Sequence, residues 1–170
     1  FDGWQPREIG SVLWGLSKNS LLKDSLISFV VEIISKSLEC DSHKWDGRHL
    51  ASLCWTFSTS SNNNNCFDTP FQKNVNSVQG CVKKFVELVV QKLNGCSIVV
   101  ELDGMSLCHL IWSFSASGIR DHDFSRKCCA KIAANIDDLS SSIVSTLVHY
   151  LCKLRFFHEG LFHAIMLSAD

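Results

Sequence analysis

The chain has 170 residues, of which 46% are hydrophobic, so it can bury a substantial core as one domain or as one piece of a longer array. Its formal net charge is −1, which excludes a global excess of basic residues as an argument for nucleic-acid binding. The sequence also has no uninterrupted apolar run of roughly 18 residues, so we expect no transmembrane helix and no membrane partner.

A short segment built around a tryptophan recurs along the chain. It reads IGSVLWGL at 9–16, LASLCWTF at 50–57 and LCHLIWSF at 107–114, and a degenerate copy, VSTLVHYL, follows at 144–151. In the first three copies the apolar residues fall at i, i+3, i+4 and i+7, which is the spacing of one face of a helix. These copies therefore predict helices whose core faces contain Ile9, Val12, Leu13 and Leu16, then Leu50, Leu53, Cys54 and Phe57, then Leu107, Leu110, Ile111 and Phe114.

A second apolar segment follows each copy, at 24–34, 81–93, 122–136 and 159–167. The distance between the two segments is the same in three cases and longer in the second, where residues rich in Asn, Ser and Thr favour turns. We therefore expect a loop insertion at 60–79. The fold predicted is all-α, a right-handed α-solenoid of about four stacked helix-turn-helix repeats of roughly 37–41 residues. The expected repeats are about 5–45, 46–102, 103–139 and 140–170, as a single array within a longer chain.

Four residues hold the tryptophan position of the repeat: Trp14, Trp55, Trp112 and His149. The tryptophans lie off the centre of the apolar stripe and beside small residues, which allow a neighbouring helix to approach. We expect these side chains to fill the seams between successive repeats, with base stacking as the alternative role.

The cysteine pattern and the absence of known motifs argue against metal binding and catalysis. Nine cysteines occur without a CxxC pair, and most lie in apolar stretches, so we interpret them as reduced, buried residues. No metal site, cofactor or small-molecule substrate is expected, because ligand spacings, phosphate-binding loops and nucleophile motifs are missing. The protein is not expected to be an enzyme.

Charge is distributed unevenly between the two kinds of helix. The first helices contain five basic residues and one acid, Glu8, whereas the rest of the chain is acidic overall. In a stack of helical pairs the first helices lie side by side, so they would line a mildly positive surface. Hydroxyl, imidazole and phenol groups on its exposed side could contact single-stranded bases. The candidate RNA-binding residues are Arg7, Ser11, Lys18, Arg48, Ser52, Thr56, His109, Ser113, Tyr150, Lys153 and Arg155.

The segment LCHLIWSFSASG at 107–118, together with the helical-pair period, resembles the octotricopeptide and heptatricopeptide repeats of organellar proteins, which often end in a RAP domain. The fourth copy lacks the tryptophan and the second is interrupted. The resemblance implies an RNA-binding α-solenoid of the mitochondrial matrix, or alternatively of a plastid. It further implies a structural subunit of a divergent mitochondrial ribosome, acting in translation and contacting ribosomal RNA and neighbouring proteins.

Two other functions are compatible with the same sequence features. Stacked helical pairs also bind peptides and protein subunits, so a protein–protein interaction scaffold is one alternative. A trans-acting factor for organellar RNA processing or stability is the other. RNA binding and protein binding differ in their dependence on salt, because contacts with phosphates weaken as the salt concentration rises.

Overall fold

The computed structural model describes residues 3–40, 45–63, 72–95 and 101–168, and within these ranges the chain is all-helical with no strand, as the sequence predicted. A short 3-10 helix, Ile136–Asp138, lies between the sixth and seventh α-helices. The helices are α1 (Pro6–Lys18), α2 (Asp24–Cys40), α3 (Gly47–Asn63), α4 (Gln72–Gly95), α5 (Gly104–Ser117), α6 (His122–Ala133), α7 (Ser141–Leu154) and α8 (Glu159–Leu167).

The helices that contain the recurring segment pack against one another in chain order. Helix α3 contacts α1 on one side and α5 on the other, and α5 in turn contacts α7. Hydroxyl groups join the first three of these helices, because Ser17 lies 2.7 Å from Ser60 and Ser58 lies 3.5 Å from Ser117. We call α1, α3, α5 and α7 the first helices.

The alternate helices, α2, α4, α6 and α8, form the other side of the core. Helix α2 packs against α4, and α6 packs against α8. Aromatic pairs join the two sides: Phe57 of α3 meets Phe85 of α4 edge to face at 5.5 Å, and Phe114 of α5 meets Phe124 of α6 at 5.4 Å. All four rings are buried, so they help to fix how α3 packs on α4 and how α5 packs on α6.

The predicted core faces of α3 and α5 are buried throughout, whereas that of α1 is only partly so. Val12 is 45% exposed, which contradicts its assignment to the core, and Leu16 is half-buried. Helix α1 packs closely against one first helix, α3, whereas α3 and α5 each lie between two. A helix with one such neighbour buries a narrower stripe than the sequence pattern suggests.

Both ends of the loop expected at 60–79 are helical instead. Residues 60–63 continue α3 and residues 72–79 belong to α4, while 64–71 lie outside the described residues. Ser60 is buried and Val78 is also buried. Packing of these two side chains favours continued helix at positions where Asn and Ser alone favour turns.

Aspartate residues cap the N-termini of α3 and α5. The Asp103 carboxylate accepts a 2.7 Å hydrogen bond from the Ser106 backbone N–H, and Asp46 accepts one of 3.0 Å from the Arg48 backbone N–H. These bonds satisfy N–H groups that have no partner within the helix.

Replacing the Asp103 cap tests its contribution to stability. We expect Asp103→Ala to lower the free energy of unfolding by about 0.5–2 kcal/mol, because the Ser106 N–H loses its acceptor. Asp103→Asn keeps an acceptor oxygen and should be nearly neutral. Urea unfolding of the two variants measures the difference, and equal losses would mean that the side chain acts through its charge instead.

Candidate functional site

A line of aromatic rings and ammonium groups crosses all four first helices. Each member contacts the next one in space, from α1 through α3 and α5 to α7, and each of these helices contributes at least one member. We call this line the aromatic ladder, and it consists of Trp14, Lys18, Trp55, His109, Trp112, Tyr150 and Lys153.

The first half of the ladder joins α1, α3 and α5. The Lys18 ammonium lies 5.6 Å from the Trp14 ring centroid and 5.8 Å from that of Trp55, so one cation bridges two tryptophans of successive helices. On its other side Trp55 stacks on His109, with centroids 4.8 Å apart and planes 16° from parallel. All three distances are within the range for attractive cation–π and aromatic contacts.

The second half joins α3, α5 and α7. Trp55 meets Trp112 at 5.3 Å with a 59° tilt, and Trp112 stacks on Tyr150 at 5.1 Å and 26°. The Lys153 ammonium lies 5.7 Å from the Tyr150 ring centroid. Tyr150 and Lys153 are three residues apart in α7, and Trp14 and Lys18 are four apart in α1. Residues at either spacing lie on the same face of a helix.

The ladder is accessible along its length. Trp14 is 45% exposed, both lysines are exposed, and the other four rings are half-buried. Each half-buried ring is held by its neighbours while part of its surface faces outward. Such a surface can stack with flat groups of a ligand and attract anions at its two lysines.

Two residues expected at the seams have different surroundings. Trp14 is exposed and contacts Lys18, and His149 is exposed with its ring edge-on to Tyr150 at 5.3 Å. Trp55 and Trp112 lie between successive first helices. In the fourth copy Tyr150 provides the ring that stacks on Trp112, so the aligned position is displaced by one residue from His149.

Two hydroxyl residues that were expected to contact RNA are buried in the protein instead. Thr56 is 1% exposed and its hydroxyl donates to the Ser52 carbonyl at 2.9 Å. Ser113 is fully buried and donates to the His109 carbonyl at 2.7 Å. Because α3 and α5 have neighbours on several sides, these positions are covered and cannot contact a base. Ser52 is half-buried, and exposed Ser11 donates to the Arg7 carbonyl at 2.9 Å.

The five basic residues predicted on this surface are all exposed, but they are not equivalent. Arg48 forms an ion pair with Asp46 at 3.2 Å. The pKa of Asp46 is lowered, mainly because its carboxylate accepts a hydrogen bond from the Arg48 backbone N–H. This aspartate offsets the Arg48 charge. Lys18 and Lys153 belong to the ladder, whereas the described contacts of the ladder do not include Arg7, Arg48 or Arg155.

A pocket of about 220 Å³ opens between α3, α5 and α7, beside the ladder. The sequence did not predict it, because it depends on how three helices meet. Four ladder rings form part of its wall, and small or flexible side chains form the rest. Its lining residues are Trp55, Met105, Cys108, His109, Trp112, Ser142, Ile143, Thr146, Leu147 and Tyr150.

His109 makes the stability of this region depend on pH. Burial lowers the pKa of His109 below its ordinary value of 6.5, against a smaller opposing effect of the Asp103 carboxylate. The unfolded chain therefore takes up a proton near pH 6.5, and the folded protein does so only at lower pH. Between these values the unfolded state binds more protons, so stability falls as the pH is lowered through this window.

We expect His109→Gln to remove part of this dependence. Urea unfolding at about pH 7.5 and about pH 5.5 should show a smaller loss in the variant than in the parent protein, since glutamine does not titrate. A loss of the same size in both proteins would show that His109 is not the group responsible.

The described cysteines are free thiols, and burial makes four of them poorly reactive. Cys54, Cys108, Cys128 and Cys129 are buried, and Cys152 is exposed. Burial raises the pKa of Cys108 and of Cys129 to about 12, so both stay protonated near neutral pH.

Among the described residues no group of three or more His, Cys, Asp or Glu side chains could hold a metal ion. Within the described helices none combines the length and apolarity required to cross a bilayer.

The sequence matches no protein-family model and no curated protein. Function is therefore inferred from the arrangement of the side chains. The aromatic ladder and the pocket beside it are the features that bear on it most directly.

Proposed function

We propose that the protein binds single-stranded RNA along the aromatic ladder. The observation that supports this proposal is the continuous line of partly exposed rings, with the Lys18 and Lys153 ammonium groups beside them. Bases stack on the rings and phosphates approach the ammonium groups. Base stacking on protein rings contributes about 1–3 kcal/mol per base, and it tolerates any base because each has a flat π-face.

The packing of Trp112 supports stacking as the mode of binding. Its ring lies between Trp55 and Tyr150, at 5.3 and 5.1 Å. Neighbours on both sides hold the ring in place before a ligand arrives, so little side-chain freedom is lost on binding. A freely moving ring would lose more conformational entropy on binding, and this cost would cancel part of the stacking energy.

The proposal includes a right-handed α-solenoid as the architecture. Contacts of the first helices in chain order, and of α2 with α4 and α6 with α8, support a stack of helical pairs. In such a stack the first helices form an extended surface, which suits a strand several nucleotides long.

We further propose that the protein acts in the mitochondrial matrix as a structural subunit of a divergent mitochondrial ribosome, with a plastid as the alternative compartment. The resemblance of 107–118 to organellar repeats supports this assignment. The protein should sediment with ribosomal particles and leave them after ribonuclease treatment. Sedimentation only as a small free species would count against the ribosomal role and favour a trans-acting RNA factor.

Salt dependence tests RNA binding itself. Fluorescence anisotropy with a labelled single-stranded RNA gives the affinity over a series of salt concentrations. For single strands, affinity falls by about 0.7 log units per phosphate contact for each tenfold rise in salt. We expect the double variant Lys18→Gln, Lys153→Gln to bind more weakly and to reduce this slope by about 1.4 log units, if each lysine contacts one phosphate.

A matched control uses two exposed lysines of α4, Lys83 and Lys84, in the double variant Lys83→Gln, Lys84→Gln. It makes the same change of charge away from the ladder and should keep the parent slope. Equal slopes in both double variants would contradict phosphate binding at the ladder. Failure of the parent protein to bind RNA at low salt would overturn the proposed function.

A protein-binding scaffold is the second candidate, and large exposed apolar residues outside the ladder favour it. Phe29 on α2 is 59% exposed, and Met166 and Leu167 on α8 are 71% and 64% exposed. Phe29→Asp would release a protein partner bound at α2 without changing RNA affinity. Loss of RNA binding in this variant would place RNA on the α2 surface instead.

A further inference from the structure

We propose that the pocket between α3, α5 and α7 holds one unstacked base of the bound strand. This inference rests on the proposed function and goes further, because it distinguishes one specific site from general stacking along the ladder. The pocket lies where the rings of three successive first helices meet.

The walls of the pocket suit a flat aromatic group. Two stacked pairs, Trp55 with His109 and Trp112 with Tyr150, contribute to the lining. Met105, which is 40% exposed, adds a flexible thioether that can adjust to a ring edge. A base entering here contacts ring surface that is already ordered.

The size of the pocket limits what it can hold. At about 220 Å³ it is smaller than the sites of about 300–1,000 Å³ that take drug-sized ligands. One base fits this space better than a complete dinucleotide or a folded peptide segment. The sugar and phosphate of the same nucleotide would stay outside.

Polar groups at the pocket can contact the edge of a base. Among the described residues neither the Tyr150 hydroxyl nor the His109 ring nitrogens have a hydrogen-bond partner. The Thr146 hydroxyl donates to the Ser142 carbonyl at 2.9 Å and keeps its acceptor capacity. These groups match the donors and acceptors that an unstacked base presents on its edges.

The position of Lys153 favours a nucleotide over a neutral aromatic ligand. Its ammonium lies 5.7 Å from the centroid of Tyr150, a ring of the pocket wall. A phosphate attached to a base in the pocket can therefore approach this exposed lysine. The ring-lined space and the adjacent cation together favour a base of a single-stranded nucleic acid as the ligand.

Filling the pocket provides the test. In the double variant Ser142→Leu, Thr146→Leu, two exposed lining residues of α7 gain apolar bulk without any loss of charge or ring. The matched control, Ser141→Leu, Ser145→Leu, makes the same kind of change one residue earlier in the same helix, at exposed positions outside the lining. The probe is an oligouridylate with one central 2-aminopurine, whose fluorescence is quenched when its base stacks. Circular dichroism verifies that both variants are folded.

We expect the pocket-filled variant to bind this probe roughly five- to 150-fold more weakly, which is the fold-change equivalent to about 1–3 kcal/mol for one stacked base. It should also lose the 2-aminopurine quenching that the parent and the control show. Equal affinity and quenching in all three proteins would overturn the pocket inference and leave RNA binding on the ladder intact. If the parent protein does not bind the probe at all, both proposals are wrong.

Discussion

Replacement of Phe114 by alanine is expected to lower the free energy of unfolding by about 3–5 kcal/mol, which is typical of a buried phenylalanine truncated in a core. Phe114 is fully buried in α5 and meets Phe124 of α6, also fully buried, at 5.4 Å. The variant loses this ring contact and leaves a cavity between a first helix and its partner. Urea unfolding followed by circular dichroism measures the loss.

Phe29→Ala is the control for this prediction. The chemical change is identical, but Phe29 is 59% exposed on α2, so the free energy of unfolding should change by no more than about 0.5 kcal/mol. A comparable loss in the two variants would mean that the Phe114 ring is not the core contact described between α5 and α6.

Replacement of Trp112 by alanine is expected to weaken RNA binding strongly. It removes the ring between Trp55 and Tyr150, and with it part of the pocket wall. We expect RNA affinity to fall roughly five- to 150-fold, as for the loss of one stacking platform. Stability should fall by about 1–3 kcal/mol, because two ring contacts contribute about 0.5–1.5 kcal/mol each.

Trp112→Phe separates the two effects of that change. Phenylalanine keeps a flat ring between the same neighbours, so most of the affinity should return even if some stability is lost. Affinities are compared at a temperature where both variants are folded, as circular dichroism verifies. If Trp112→Ala is destabilised but binds RNA like the parent protein, the ring has a packing role and the ladder is not the binding surface.

The helices could be predicted because their apolar spacing repeats. Leu53, Cys54, Leu110 and Ile111 are fully buried, as the i, i+3, i+4, i+7 pattern indicated. Val12 shows the limit of that pattern, since burial depends also on how many helices surround a given one. The sequence of α1 resembles that of α3, but its surroundings differ.

The candidate site was predictable only in part, for the same reason. Lys18, Tyr150 and Lys153 were recognised from their place on the helix face opposite the core. Thr56 was placed on the same face but is buried, because α3 packs against α1, α4 and α5. Trp55 and Trp112 were assigned to packing, yet each is half-buried and can both fill a seam and offer a surface.

Photocrosslinking of the protein to a single-stranded RNA that contains 4-thiouridine tests the central claim most directly, with mass spectrometry to locate the attached residues. The ladder predicts crosslinks concentrated at Trp55, Trp112 and Tyr150, with fewer after pocket filling by Ser142→Leu, Thr146→Leu. Crosslinks confined to α2, α4, α6 or α8 would contradict RNA binding by the first helices.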